Sequence, residues 1–220
     1  MGVAQLDRDQ IASVALAVLD RHGVAGFTIR AVADALGVTP MALYYHVKDK
    51  AELAALVVIA AHSARPLDTP VGEWREDLWA IARWTRESVN DHPAVGELFR
   101  IYKVYTSEIV RIAERWMSIW QQSGLTLANA VLAARVSGVA VAGLVEEEMI
   151  LRSLDKPDDA LLARLPGARL LYARERDPEG SFELAVHALI DGLHARLMKK
   201  SRPITPRSRP KSKRSRGAKR

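Results

Sequence analysis

Met41, Ala42, Tyr44, Tyr45, His46, Lys48 and Lys50 fall within ten residues, with Thr28, Arg30, Thr39 and Pro40 just before them. Aromatic and hydroxyl groups interleaved with cations suit one chemistry. Tyrosine, imidazole, ammonium and guanidinium groups hold phosphate oxygens, and small apolar side chains meet base edges and thymine methyls. A plainer alternative is an amphipathic helix that half-buries two tyrosines. The elements that must carry these residues favour the first reading.

Thr28 is placed to cap a helix whose apolar face is Ile29, Val32, Ala33 and Leu36, at i, i+3, i+4 and i+7. Gly37 then stands where a helix ends in a left-handed residue. Thr39 and Pro40 restart a helix with a capping hydroxyl and a proline at its first position. Two short helices about a glycine turn make a helix-turn-helix, which sets its second helix in the DNA major groove. In that second helix Leu43 and Val47 point inward, and Met41, Tyr44, Tyr45 and Lys48 fall on the other face. Asp49 with Glu52 three residues on reads as a capping box, so Lys48 and Lys50 flank a helix N-terminus that also attracts anions.

Residues 6 to 56 resemble the DNA-binding domain of TetR-family bacterial transcriptional regulators. The resemblance is carried by Ile11, Ala15, Leu19 and Gly23, by GFTIRAVADALGV from Gly26 to Val38, and by LYYHVKDKAEL from Leu43 to Leu53. The L-Y-x-H-x-K-x-K run is particular to that family. A weaker similarity to the tetracycline-repressor branch continues in SGLTLANAVLAARVSGVAVAGLVEEE, Ser123 to Glu148. It implies a homodimer that binds a palindromic double-stranded operator and is released by a small-molecule effector. Tyr44 and Lys50 match positions the family uses on DNA. Thr28, Arg30, Tyr44, Tyr45, His46, Lys48 and Lys50 are expected mainly on phosphates, and Thr39, Pro40, Met41 and Ala42 on base edges. Pro40 and Ala42 replace polar residues of the tetracycline branch, which implies a different operator.

The chain reads as all-α: residues 1–50 form the helix-turn-helix domain, 51–65 a linking helix, 66–200 an effector-binding and dimerisation domain, and 201–220 a disordered basic tail. Helices are predicted from Asp7 to His22, over the two elements above, from Asp49 to Ala64, and over 73–90, 94–102, 107–122, 127–154, 158–165 and 179–200. Residues 156 to 180, with three prolines and two glycines, read as the least regular part of the second domain. The 220 residues are 49% hydrophobic, enough for a core. There is no cysteine, and acidic and basic residues precede any apolar run at the N-terminus, which suits a cytoplasmic protein. The apolar run 130–145 is too short for a membrane span and reads as a buried helix.

Net charge is +6, but from Lys199 onward there are eleven Lys or Arg and no acid. Without those eleven, 21 basic groups face 26 acidic ones, about −5. Residues 1 to 50 hold five of each sign. DNA binding therefore rests on local placement of Arg30, Lys48 and Lys50, not on bulk charge.

All five tryptophans lie after residue 70. Trp79, Trp84, Phe99, Tyr102, Trp116 and Trp120 are the candidate lining of an effector cavity, though ordinary core is an equal reading of the same residues. The apolar stripe Phe182, Ala185, Val186, Leu189, Leu193 and Leu197, and the nearly all-apolar helix from Leu127, are the elements that pair with their copies in TetR-like dimers. No catalytic motif, cofactor fingerprint or metal cluster is present; His187 and His194 share a helix face, at most a weak zinc possibility. Alignment to the tetracycline branch puts Pro66, Arg100 and Val139 at its drug- and metal-binding positions. The resemblance therefore implies a mainly apolar effector in place of a magnesium-chelated tetracycline. Two other classes remain open: a DNA-coating protein governed by the basic tail, and a small-molecule carrier or enzyme that ignores DNA.

Overall fold

The computed structural model describes residues 6–67, 70–104, 106–153, 155, 157–173 and 177–200, which form eleven helices and no strand. The head contains α1 (Arg8–Gly26), α2 (Ile29–Leu36), α3 (Pro40–Tyr44) and α4 (Lys50–Ala64). Caps expected from sequence are made: Asp7 accepts from the Gln10 N–H, Thr28 from Ala31, Thr39 from Ala42, and Asp49 from Glu52. Gly23 breaks the helical path of α1 at φ 61°, and Gly37 ends α2 at φ 69°. Both are conformations that glycine adopts without a Cβ clash.

The body contains α5 (Trp74–Asp91), α6 (Pro93–Tyr102), α7 (Ser107–Gln122), α8 (Leu127–Ser153), α9 (Asp159–Ala163), α10 (Pro166–Ala173) and α11 (Pro178–Lys200). The irregular stretch expected near residue 166 is partly helical. Pro166 opens α10, where its missing N–H costs nothing, and so marks a start instead of a break.

Two apolar cores form. The head core gathers Ile11, Leu19, Phe27, Val32, Leu43, Val47, Leu53 and Val57, and it also takes in Leu98 of α6 and Val104. α4 and α6 thus belong to the head as much as to the body. The second core gathers Leu78 and Ile81 of α5, Ile119 and Trp120 of α7, Val141 and Val145 of α8, and Phe182, Val186 and Ile190 of α11. Along α11, Phe182, Val186 and Leu197 are therefore used inside their own chain. Leu184, Ala188, Gly192 and Ala195 face outward instead.

Polar groups lock the connections. The connector after α4 is held by Arg65, whose guanidinium reaches Asp91 at 2.6 Å and Glu87 at 2.9 Å, while its carbonyl accepts the Trp84 indole N–H at 2.7 Å. Buried Asp77 accepts the Val71 and Gly72 N–H groups at 2.7 and 3.2 Å. Arg86 grips Glu148 through two hydrogen bonds of 2.7 and 3.0 Å, joining α5 to α8, and Arg152 also binds that carboxylate. The Arg86 hydrogen bond holds the Glu148 carboxyl below its ordinary value of 4.5. A depressed carboxyl contributes stability above its unfolded pKa and loses it as pH falls through the folded one. Glu148→Gln is therefore expected to lower stability at neutral pH and to flatten its fall below pH 4.5, as read by denaturant unfolding across that range.

Trp116 and Trp120 sit on one helix with different polar outcomes. The Trp120 N–H donates to Ser137 at 3.2 Å, whereas the Trp116 N–H is buried with no partner among the described residues. Both indole-to-phenyl changes lose similar bulk, but only one breaks a hydrogen bond. Trp120→Phe should cost about 1 to 3 kcal/mol more than Trp116→Phe in denaturant unfolding; equal losses would argue against a stabilising role for the Ser137 bond.

Candidate nucleic-acid interface

α3 is a single short turn that buries one face. Leu43 and, just beyond, Val47 are enclosed by the head core. Met41, Tyr44 and Tyr45 are 66%, 49% and 84% exposed, so the half-buried alternative fails for Tyr45, while Tyr44 keeps about half of its surface open to solvent. Thr28, Arg30, Thr39, Pro40 and Lys48 are exposed too, and Ala42 and His46 are half-buried. Thr28 and Thr39 spend a side-chain lone pair on their caps, at 3.0 and 3.2 Å, yet their hydroxyl protons stay available to an acceptor. Arg30 makes a long 3.9 Å pairing with Asp34 on a largely exposed face.

The turn from α3 to α4 is pinned by a residue absent from the sequence expectations. Arg8, at the start of α1, donates to the His46 carbonyl at 2.7 Å and to Glu52 at 2.6 Å. Glu52 also accepts the Lys48 N–H at 2.7 Å, one residue before the expected reciprocal cap. These bonds lower the Glu52 carboxyl pKa, the Lys48 N–H first and Arg8 second. The anion site expected at the α4 N-terminus is thus partly filled by the protein's own carboxylates. Phosphate capture there falls to side chains more than to backbone.

Lys50 does not hang free. Its ammonium lies 5.6 Å from the Phe27 ring centre and 5.5 Å from that of Tyr102, at the end of α6. Tyr102 and Phe99 pack on the head core, away from the body core that holds Trp116 and Trp120. Trp84 lies against His62 and the Arg65 carbonyl, and Trp79 against Phe182 and His187. The six aromatics expected to line one cavity are therefore dispersed over the molecule. Aromatic spacing along single helices revealed shared faces but not which core each face meets.

The three positions aligned with the tetracycline branch do not converge either. Pro66 borders a cleft of about 60 Å³ with Arg65, Ala80, Arg83, Trp84 and Glu87. Arg100 pairs with Glu146 on the surface, and Val139 is 72% exposed on α8. Among the described residues no three His, Asp or Glu side chains gather as a metal site requires. His187 and His194 are separately engaged, on Trp79 and on Trp74 with the Ser123 carbonyl.

A capped helix-turn-helix head with exposed aromatics and cations, set on a helical body, defines a DNA-binding regulator architecture. Comparison with known proteins gives the family. Residues 11–57 match the description "Bacterial regulatory proteins, tetR family", and residues 65–197 match "Tetracyclin repressor-like, C-terminal domain". The chain belongs to the TetR family of transcriptional regulators. It is 27% identical over 208 residues to the Escherichia coli tetracycline repressor protein class E, covering 92% of this chain and 98% of that one. Mycobacterium smegmatis BioQ is 29% identical with a TM-score of 0.66, covering 86% of this chain and 99% of that one, and BioQ has also been solved with its double-stranded DNA operator. Streptomyces coelicolor ActR in complex with actinorhodin has a TM-score of 0.72 at 23% identity, covering 90% of this chain and all of that one.

Contact between Lys50 and a phosphate would require leaving Tyr102. A cation over an aromatic ring is worth about 0.5 to 2 kcal/mol. Tyr102→Leu should therefore strengthen binding to any duplex by roughly 2- to 30-fold. The gain should vanish when Lys50→Ala is combined with it; a gain that persists would mean that Tyr102 acts elsewhere.

Proposed function

We propose that the protein is a homodimeric, cytoplasmic, ligand-responsive repressor that reads a palindromic operator. The observation that carries the reading is α3, with Leu43 alone turned inward and Met41, Tyr44 and Tyr45 exposed on the other side. Tyr44, Tyr45, His46, Lys48, Lys50, Thr28 and Arg30 hold phosphates; Thr39, Pro40, Met41 and Ala42 meet base edges. One such helix reads few base pairs, so two heads about 34 Å apart are needed for a specific site.

The body supports dimerisation. α8 has a mean hydropathy of 1.7 over its most apolar stretch, yet only 28% of that stretch is buried within the chain. Leu132, Val136, Val139 and Ile150 form an outward row at helical spacing, and α11 adds Leu184 beside Ala188, Gly192 and Ala195. Length and apolarity alone would suit a membrane span, but Arg135 and the Glu146 and Glu147 pair lie exposed on the same helix. A second copy covers this row without placing those charges in hydrocarbon.

The effector is a mainly apolar small molecule with a hydrogen-bond acceptor for Trp116, whose buried N–H has no partner among the described residues. ActR in complex with actinorhodin illustrates an organic ligand held by the same fold. Induction requires the effector to favour a dimer whose heads are wrongly spaced, since equal affinity for both forms would shift nothing.

Selection of bound fragments from the source genome, followed by competition with random DNA, tests the reading. A preference for the selected site of at least ~10³ is expected. Uniform binding to every sequence would favour a DNA-coating protein, and no binding would favour a carrier. Met41→Ala should change base preference at one position of each half-site, whereas Lys48→Ala should weaken all sequences alike and lower the salt slope by about one. Val139→Glu places a charge in the proposed dimer face; it should yield monomers by sedimentation and abolish operator binding while leaving helicity intact.

A further inference from the structure

The base-facing residues of α3 are steadied from both ends. Thr39 caps the start, accepting the Ala42 N–H at 3.2 Å. Beyond the other end, the His46 and Val47 N–H groups return to the Leu43 carbonyl at 3.0 and 3.1 Å. The His46 carbonyl is then taken by the Arg8 guanidinium at 2.7 Å, from 38 residues earlier in the chain. The other side-chain bonds to this turn are local: Asp49 accepts the Glu52 N–H at 2.9 Å, and Glu52 the Lys48 N–H at 2.7 Å. Local bonds shape the turn, whereas a bond from a separate element also sets where it sits on the head. Burial of Leu43 and Val47 contributes to that placement without direction, and the Arg8 bonds supply the direction.

Arg8 is built for that task. It shares a helix face with Ile11 and Ala15, both fully enclosed, so its stem leaves a side of α1 fixed in the head core. A cation in the first turn of a helix works against the positive dipole end. The neighbouring carboxylates of Asp7 and Asp9 and the two bonds across to the turn offset that cost. The guanidinium is a planar fork: Nη1 meets the His46 carbonyl, and Nη2 the Glu52 carboxylate at 2.6 Å. Glu52 passes the tie on to the Lys48 backbone. We propose that Arg8 is a positioning residue for base reading, holding the α3–α4 turn where Met41 and Ala42 meet base edges, without itself neutralising a phosphate. The inference rests on α3 being the operator reader. Glu52 already answers the Arg8 charge, and about half of the Arg8 side chain is covered. Phosphate contacts from long side chains survive a small shift of the turn, but contacts to base edges do not. An α3 that keeps its reading arrangement about a tenth of the time binds operator about tenfold more weakly.

The test removes the tie without changing net charge. In Arg8→Gln/Glu52→Gln protein the amide at position 52 can still accept the Lys48 N–H, but the forked ion pair is gone. A genome-selected operator fragment and a random duplex are each titrated with the full chain at several salt concentrations. Operator affinity should fall about tenfold, random-duplex affinity should stay within about twofold, and both salt slopes should hold within about half a unit. Arg8→Lys keeps the cation without the fork and should lose about threefold or more of the operator preference. A loss of folded protein lowers both affinities alike, so the ratio of the two separates direction from folding. Should the double variant fail to fold, Arg8→Lys carries the test by the same ratio. A normal operator preference in Arg8→Lys overturns the proposal. Equal losses on both duplexes in the double variant overturn it too, and would mark Arg8 as a phosphate contact. If the unsubstituted protein shows no preference for the selected fragment, the regulator reading fails and the Arg8 assignment falls with it. A preference present in that protein and unchanged in the variants removes the Arg8 assignment alone.

Discussion

Five residues make too little helix to stand alone, and the whole DNA-facing surface hangs on fixing α3. Burial of Leu43 and Val47 is the anchor. Two side chains of this size contribute roughly 1.5 to 3 kcal/mol each when enclosed, more than any exposed ion pair nearby. Caps at Thr39 and Asp49 stop the ends from fraying, and Arg8 ties the following turn to the start of α1. With both anchors inward, the side chains between them have no direction but outward. Exposure of Met41, Tyr44 and Tyr45 is thus a consequence of packing, not an accident of a loose surface.

Electrostatics acts on that frame locally. Five charges of each sign in the first fifty residues give no attracting field at a distance. Carboxylates at Asp49 and Glu52 are spent on the backbone of the α3–α4 turn, and Glu52 also on Arg8. What remains toward solvent on this side is Arg30 and Lys48, with Lys50 shared between two rings. The contact between Lys50 and Tyr102 matters because Tyr102 belongs to α6, which leaves the body at His92 and packs into the head core. A displacement of α6 would therefore be felt both by that core and by a cation of the interface.

Much of this was legible in the sequence because its causes are local. Thr28, Gly37, Thr39, Pro40 and Asp49 announce helix ends through their own backbone preferences, and the starts of α2, α3 and α4 and the end of α2 follow; α1 instead runs on past the expected His22 to Gly26, across the kink at Gly23. The 3.6-residue spacing of Leu43 against Met41 and Tyr44 told which side would be wet. What escaped depends on residues distant in the chain. Arg8 meets Glu52 across 44 positions, and nothing beside either residue signals the other. The spacing of Trp116 with Trp120, and of Phe99 with Tyr102, gives each pair a shared helix face, but a face does not name its neighbour, and the two pairs meet different cores. The α11 stripe shows the same limit: its periodicity was right, and the partner it meets is its own α5 and α8.

The division of labour within α3 has an evolutionary corollary. Pro40, Met41, Ala42, Tyr44 and Tyr45 lie outside the fully enclosed core, so exchanges among them leave folding nearly untouched, within about 0.5 kcal/mol for most solvent-facing sites. Leu43 and Val47 enjoy no such latitude. Target choice can therefore drift by single substitutions without passing through unfolded intermediates, and the same scaffold is open to deliberate reprogramming toward new promoters.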